Sequence, residues 1–388
     1  MLTAAGGSAG GSAGGSAGGS AGGSAGGSAG GSAGGSNLPH AGGAAGPQLS
    51  WALAATHDGI VGPWDPALVL ARSTRPAPSA DDLGYLEPAG RVRLLHLALV
   101  RRIGLRSGSL ALALDGNPIA TVAKPDEGFL ARQLVFVRTY ADLRPDRIPE
   151  ILEQTGDILS FFGGGALLNA GHRRRTRELM IAAQQAVISV CAELKHRAFS
   201  PRPIDFDPRV CPVIQTPDHS TYPSGHSMEA FALATVLHRL MTGGAPDPEA
   251  ALFRIAHRIA VNRTVAGVHF PVDSAAGAVV GCMIGEAMHA LATGAPARAA
   301  TFRPGLSETD TRDFGPWEDF TPSWLQSALV RSAAADAPAP DPVWAQAWRA
   351  AEGEWRRVPS GDEPDEAGAA TVTNGTGTDA TGTDGTPA

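Results

Sequence analysis

Three stretches in the middle of the chain decide how it reads: Lys195-His-Arg-Ala-Phe-Ser-Pro-Arg202-Pro203, Pro223-Ser224-Gly225-His226 and Arg263-Thr-Val-Ala-Gly-Val-His269-Phe-Pro-Val-Asp273. Each lies at a helix boundary. The first closes a long helical pattern from Arg173 to Phe199, stopped by Pro201. The second opens another, Ser224 to Thr242, with Gly243-Gly244 behind it. The third joins a helix over 249–262 to one over 271–291, with Pro271 in the first turn. The fold class that follows is mainly α.

Outward from these motifs the same pattern continues. Arg147 to Phe162 places apolar residues at Ile148, Ile151, Leu152, Ile158 and Leu159, and the glycines 163–165 end that helix. Asp341-Pro342 offers an N-cap and first turn for a helix bearing Trp344 and Trp348, a pair better suited to a core or an interface than to a binding box. Upstream, Leu110 to Val122 reads as a small β-hairpin with Asp115-Gly116 at its turn. The segment Gln48 to Pro88 mixes Pro, Gly and Trp and is expected to wrap over the core.

Both ends are low in complexity. Ala-Gly-Gly-Ser repeats run to about Asn37 and Gly-rich sequence continues to Pro47, so 1–47 is expected to be a disordered segment. The tail 361–388, rich in Gly, Thr and Asp, is expected to be disordered as well. Between them, 48–360 is long enough for one catalytic domain around a single core, with the motifs inside 172–285.

A net charge of −7 over 388 residues argues against a general nucleic-acid binder. Cys191, Cys211 and Cys282 form no disulfide framework and read as reduced thiols. The start shows no basic and apolar leader pattern. The most apolar stretch, Ala275 to Ala292, carries Glu286 and His289, which suits a buried helix better than a membrane span. A cytoplasmic protein is the default expectation, and its oligomeric state, homo-oligomer included, stays open.

Together the motifs supply three cations, a hydroxyl, a glycine amide, two imidazoles and a carboxylate. That inventory suits a tetrahedral oxyanion passing through a five-coordinate state. Lys195, Arg202 and Arg263 neutralise oxygens. Ser224 and Gly225 open a helix whose free N–H groups and positive dipole end favour an anion. His226 and His269 can divide nucleophilic attack and proton transfer between them. Asp273, one turn beyond His269, can accept from the imidazole or cap the helix.

These residues resemble the superfamily that joins type 2 phosphatidic acid phosphatases, bacterial acid phosphatases and vanadium-dependent haloperoxidases. Its pattern is Lys-x6-Arg-Pro, Pro-Ser-Gly-His and Ser-Arg-x5-His-x3-Asp. The chain departs from it only at Asn262, in place of the third motif's serine; with Arg263 intact the change is expected to be mild. The resemblance implies a helical bundle of the acid phosphatase and vanadium haloperoxidase type, with the oxyanion in its core. It implies that Lys195, Arg202, Ser224, Gly225 and Arg263 hold the oxygens, and that His226 is the general acid/base. His269 would be the phosphorylated nucleophile or the axial ligand of vanadium.

The same residues permit two reactions, because vanadate imitates the phosphoryl transition state. One is oxidation of a halide, bromide for preference, by hydrogen peroxide on bound vanadate, with a small organic substrate halogenated. The other is hydrolysis of a phosphate ester through a phosphohistidine. His219, seven residues before His226, resembles an extra histidine of vanadium bromoperoxidases and tips this reading toward a haloperoxidase with vanadate as cofactor. A soluble phosphomonoesterase is the alternative. The lack of membrane spans counts against a lipid phosphatase.

Overall fold

Helices dominate, and local sequence explains where several of them stop. The computed structural model describes residues 54–55, 83–169, 171–304, 329–332 and 336–356. The expectations for 1–47 and 361–388, and for most of 48–88, lie outside the described residues.

The order along the chain is α1 (Pro88–Val100), β1 (Ile103–Leu105), β2 (Ala111–Leu114), β3 (Asn117–Val122), α2 (Glu127–Tyr140), α3 (Arg144–Gly156), α4 (Leu159–Ala166), α5 (Arg174–Ala198), the single turn α6 (Pro203–Phe206), α7 (Gly225–Thr242), α8 (Ala251–Val265), α9 (Pro271–Thr293), β4 (Ala299–Phe302), β5 (Leu329–Ser332) and α10 (Pro342–Gly353). Helix α5 ends where Phe199 turns left-handed at φ 40°, its amide bonded to the Lys195 carbonyl. That leaves Lys195 in the last turn, where the helix dipole favours a cation. Helix α7 ends at Gly243, φ 69°. Asp341 caps α10 by accepting from Trp344 N at 2.9 Å, and Trp344 is fully buried with its indole N–H on the Met288 carbonyl. The tryptophan pair is core.

Helices α7 and α9 form the centre. Gly277, Gly281 and Gly285 lie one turn apart on α9 and face α7. A Cβ at Gly281 would sit 2.4 Å from the Met228 carbonyl oxygen, and one at Gly285 2.6 Å from Thr235 Cβ. Three missing side chains let the two backbones meet. Helix α9 is long and apolar enough to cross a bilayer, but 89% of its most apolar stretch is buried inside the protein. Around this pair pack α5 and α8; α1 and α10 cover α5, and α3 packs on α8.

Two expectations need correction. The helix read over 147–162 is two helices, α3 and α4, separated by Asp157 in an extended conformation. Asp157 accepts from the Ser160 amide and starts the second helix, and the apolar periodicity runs through the break without marking it. Gly163 to Gly165 lie inside α4, which is ended by Leu167 at φ 48°. The hairpin forms as expected: Leu114 faces Asn117, and Asp115 and Gly116 take φ 51° and 83°. It belongs to a larger sheet of order β1-β2-β3-β4-β5, parallel only between β3 and β4.

Candidate functional site

The long helix α5 carries Lys195 to the end of its buried face. The exit loop then brings Arg202 back against the segment 219–221. Lys195 donates to the carbonyls of Ser220 (2.8 Å) and Thr221 (3.2 Å). Arg202 donates through Nε to the His219 carbonyl (3.0 Å) and through Nη1 to the Val268 carbonyl (2.8 Å); its Nη2 lies 3.2 Å from His219 Nδ1. Both cations therefore pin the loop before α7 while keeping their charge beside it. Both are almost fully buried, and burial pushes Lys195 down to about 8.

Ser224 is the residue before α7, but its hydroxyl does not cap the helix. Its Oγ is buried and has no hydrogen-bond partner among the described residues. Gly225 needs its lack of a side chain: a Cβ would meet Cys191 Sγ at 3.2 Å and Lys195 Cε at 3.6 Å. Arg263 donates through Nη2 to Gln154 Oε1 (2.8 Å) and the Ile151 carbonyl (3.3 Å), whereas its Nε and Nη1 are buried and have no partner among the described residues. Among the described residues no carboxylate lies within ion-pair distance of Lys195, Arg202 or Arg263. A buried cation without a counter-charge is costly unless something anionic joins it.

His269 follows α8 and precedes α9. Its Nδ1 lies 3.1 Å from both Asp273 Oδ2 and Thr221 Oγ1. Asp273 Oδ2 also accepts from the Phe270 amide (2.9 Å) and the Thr221 hydroxyl (2.5 Å). The two roles read for Asp273, capping and holding the imidazole, are thus filled together by one oxygen. A proton on Nδ1 leaves Nε2 with its lone pair. Burial and the cations Lys195 and Arg202 hold His269 well below the usual imidazole pKa, so the ring is neutral.

His226, in the first turn of α7, keeps some solvent exposure. Its Nε2 lies 2.9 Å from the Gln154 carbonyl, which fixes the N–H there and leaves Nδ1 as the basic atom. Burial, then Arg263, hold its pKa below the ordinary value, with Lys195 and His219 adding to the effect. Lys195 and His219 act on both imidazoles, so the two rings share one electrostatic neighbourhood.

The structure brings together Lys195, Arg202, Ser224, Gly225, Arg263, His226, His269, Asp273 and His219. His196 is exposed. Thr221 and Gln154 were missed in sequence. Thr221 sits in the loop between motifs, and Gln154 lies far upstream on α3, where nothing in the sequence sets it apart. Asn262, where the family has serine, donates to Gln154 Oε1 and Glu150 Oε2, both at 3.1 Å, so it ties α8 to α3 instead of reaching the site itself.

Residues 178–295 match the model of the PAP2 superfamily. The chain carries a PAP2 superfamily domain. That domain spans α5 to α9, from Glu178 to the turn after Thr293, and holds every motif residue. Among similar proteins, Lipid A 1-phosphatase of Porphyromonas gingivalis is 36% identical over 67 residues, 17% of this chain and 15% of its own length. Decaprenylphosphoryl-5-phosphoribose phosphatase of Mycobacterium tuberculosis is 26% identical over 137 residues, 35% of this chain and 71% of its own length. Both relatives bear phosphatase names. Gln154, like α1 to α4 and the sheet, lies outside the PAP2 match.

Proposed function

We propose that this PAP2 superfamily chain is a phosphomonoesterase acting through a phosphohistidine on His269. One observation carries the reading. The His269 ring is neutral, its Nδ1 is tied to Asp273 and Thr221, and it stands beside Lys195 and Arg202, buried cations with no ion-paired carboxylate among the described residues. A neutral imidazole with a lone pair on Nε2 is a nucleophile, and the cations and the free donors of Arg263 and Ser224 suit the phosphoryl oxygens.

In the first step Nε2 of His269 attacks phosphorus and the ester P–O bond breaks. The departing alkoxide takes a proton from His226 Nδ1. The free His226 ring is neutral, so its proton arrives with the bound anion, whose charge offsets Arg263 and Lys195. In the second step water attacks phosphorus, the P–N bond breaks, and His226 Nδ1 takes the water's proton. Inorganic phosphate leaves.

The relatives' names support this order over halide oxidation. The second reading keeps one specific observation in its favour: His219 Nδ1 stands at Arg202, beside the oxyanion site. The site residues fit vanadate as they fit phosphate, since the free donors of Arg263 and Ser224 can donate to the oxygens of either tetrahedral anion. Bound there, vanadate would supply peroxide activation, with His269 as its protein ligand.

The test is a direct one. Purified full-length chain is assayed for phenyl phosphate hydrolysis and, after loading with vanadate, for bromide-dependent halogenation of a phenol. Acid-labile, base-stable phosphate on the protein, absent in His269→Ala, is the expected result. Bromide turnover without ester hydrolysis would reverse the order of the two readings.

A further inference from the structure

Gln154 lies in the last turn of α3, outside the PAP2 match and outside every motif. It is fully buried. Its carbonyl oxygen accepts from His226 Nε2 at 2.9 Å, and its side-chain Oε1 accepts from Arg263 Nη2 at 2.8 Å and from Asn262 Nδ2 at 3.1 Å. One residue therefore touches the proposed proton carrier through its main chain and the least-compensated cation through its side chain. Two consequences follow from these directions. The main-chain acceptor fixes the His226 tautomer, so that Nδ1 is the atom that moves a proton. The side-chain acceptor engages a single terminal nitrogen of Arg263, which turns the guanidinium so that Nε and Nη1 carry no partner among the described residues. Arg263 is planar and donates in a fixed fork, so holding one nitrogen orients the other two.

The support behind Gln154 is itself built. Asn262 bridges Gln154 to Glu150, and Glu150 is paired with Arg258, whose Nε lies 2.8 Å from Glu150 Oε2. The departure from the motif serine at 262 thus supplies the amide that steadies Gln154.

We propose that Gln154 is a positioning residue for oxyanion binding, its side chain aiming the free Nε–H and Nη1–H of Arg263 at the anion. The inference rests on the anion-binding reading of the site. It gives a structural role to a helix that the family resemblance does not cover.

Gln154→Leu removes the acceptor and keeps the bulk. Vanadate and inorganic phosphate, titrated separately onto the full chain, should bind about tenfold or more weakly, the scale on which partners that orient a ligand-holding group act. Ester hydrolysis should show the loss in KM, with the pH dependence of kcat kept, because the carbonyl that holds His226 remains. Gln154→Glu keeps the shape and the acceptor but places a negative charge on Arg263. Its affinity for phosphate should fall below wild type throughout pH 5 to 8, because the adjacent guanidinium favours the ionised carboxyl. A helix-packing role would leave anion affinity untouched in this near-isosteric variant. Thermal melts of both variants separate misfolding from misaiming, and the Glu variant serves if the Leu variant fails to fold. Unchanged anion affinity in folded Gln154→Leu, or in folded Gln154→Glu, would overturn the inference. Absence of vanadate and phosphate binding in wild type would overturn the anion-site reading itself, and this inference with it.

Discussion

Asp273 Oδ2 lies 3.1 Å from His269 Nδ1, and the same oxygen caps α9 through the Phe270 amide. The start of the central helix and the tautomer of the proposed nucleophile are therefore set by one atom. Burial raises the Asp273 carboxyl to about 6, against the opposing pull of Thr221, the Phe270 amide, Lys195 and Arg202. Only the ionised form holds His269 fully, so kcat/KM should rise as pH climbs through about 6. Asp273→Asn should flatten that limb at a low plateau, read from a pH–rate profile. The folded carboxyl titrates above its unfolded value of about 3.9. The folded state then binds more protons between about pH 4 and 6, and the buried charge costs wild type stability as pH rises across that window. The melting-temperature difference between Asp273→Asn and wild type should move in the variant's favour over the same range. A pH-independent difference would contradict the burial account.

His226 is held neutral by burial and then by Arg263. An anion that offsets Arg263 must raise its pKa, and by linkage anion binding must take up a proton and strengthen toward acid pH. An imidazole NMR titration with and without inorganic phosphate reads this directly; identical curves would refute it. His226→Ala should slow hydrolysis by about 10²–10⁴-fold while phosphate binding persists. His269→Ala should abolish turnover and leave no phosphoenzyme.

The glycine face of α9 gives a prediction about stability. Gly281→Ala places a Cβ 2.4 Å from the Met228 carbonyl oxygen, where only backbone can give way. Overpacking of that kind costs about 1–3 kcal/mol and lowers the melting temperature by several degrees. Gly277→Ala pushes at 2.6 Å on the Ser224 carbonyl oxygen, so it should lose activity as well as stability. Gly164→Ala is the control. Nothing lies within 4 Å of its new Cβ, and alanine is the better helix former by about 1 kcal/mol, so a stability equal to or above wild type is expected.

The motifs were legible because the chemistry constrains residue type and spacing together. Lys195, Arg202, Ser224, Arg263 and His269 announce themselves within short windows, and helix ends at Phe199, Gly243 and Pro271 follow from local backbone rules. The partners that aim these residues did not show. Thr221 and Gln154 act through distances that close only on folding, and a lone Thr or Gln carries no pattern. The three glycines of α9 are visible as composition, but their four-residue spacing gains meaning only once α7 is known to lie against them. The α3–α4 break failed for a related reason: the periodicity of a buried face persists when the chain kinks and re-enters the same core. Strands β4 and β5 escaped because β4 pairs in parallel with a strand about 180 residues earlier in the chain.

His219 decides between the two chemistries. Its Nδ1 stands 3.2 Å from Arg202 Nη2 and its carbonyl accepts from Arg202 Nε, so it is part of the wall of the proposed oxyanion site and not a distant loop residue. The main-chain contact survives substitution, so His219→Ala should leave Arg202 in place and phosphate affinity close to wild type. In the phosphatase reading no proton or bond passes through this ring, and ester hydrolysis should change by less than about tenfold, the scale of one part-buried side-chain contact. In the haloperoxidase reading a titratable ring beside the bound anion tunes peroxide and halide reactivity, and bromide turnover should fall far more than vanadate affinity. Paired assays on the same two proteins separate the outcomes. Loss of ester hydrolysis by a hundredfold in His219→Ala, with Arg202 still holding phosphate, would contradict the division of labour between His226 and His269 and would make His219 a third participant in the proton transfers.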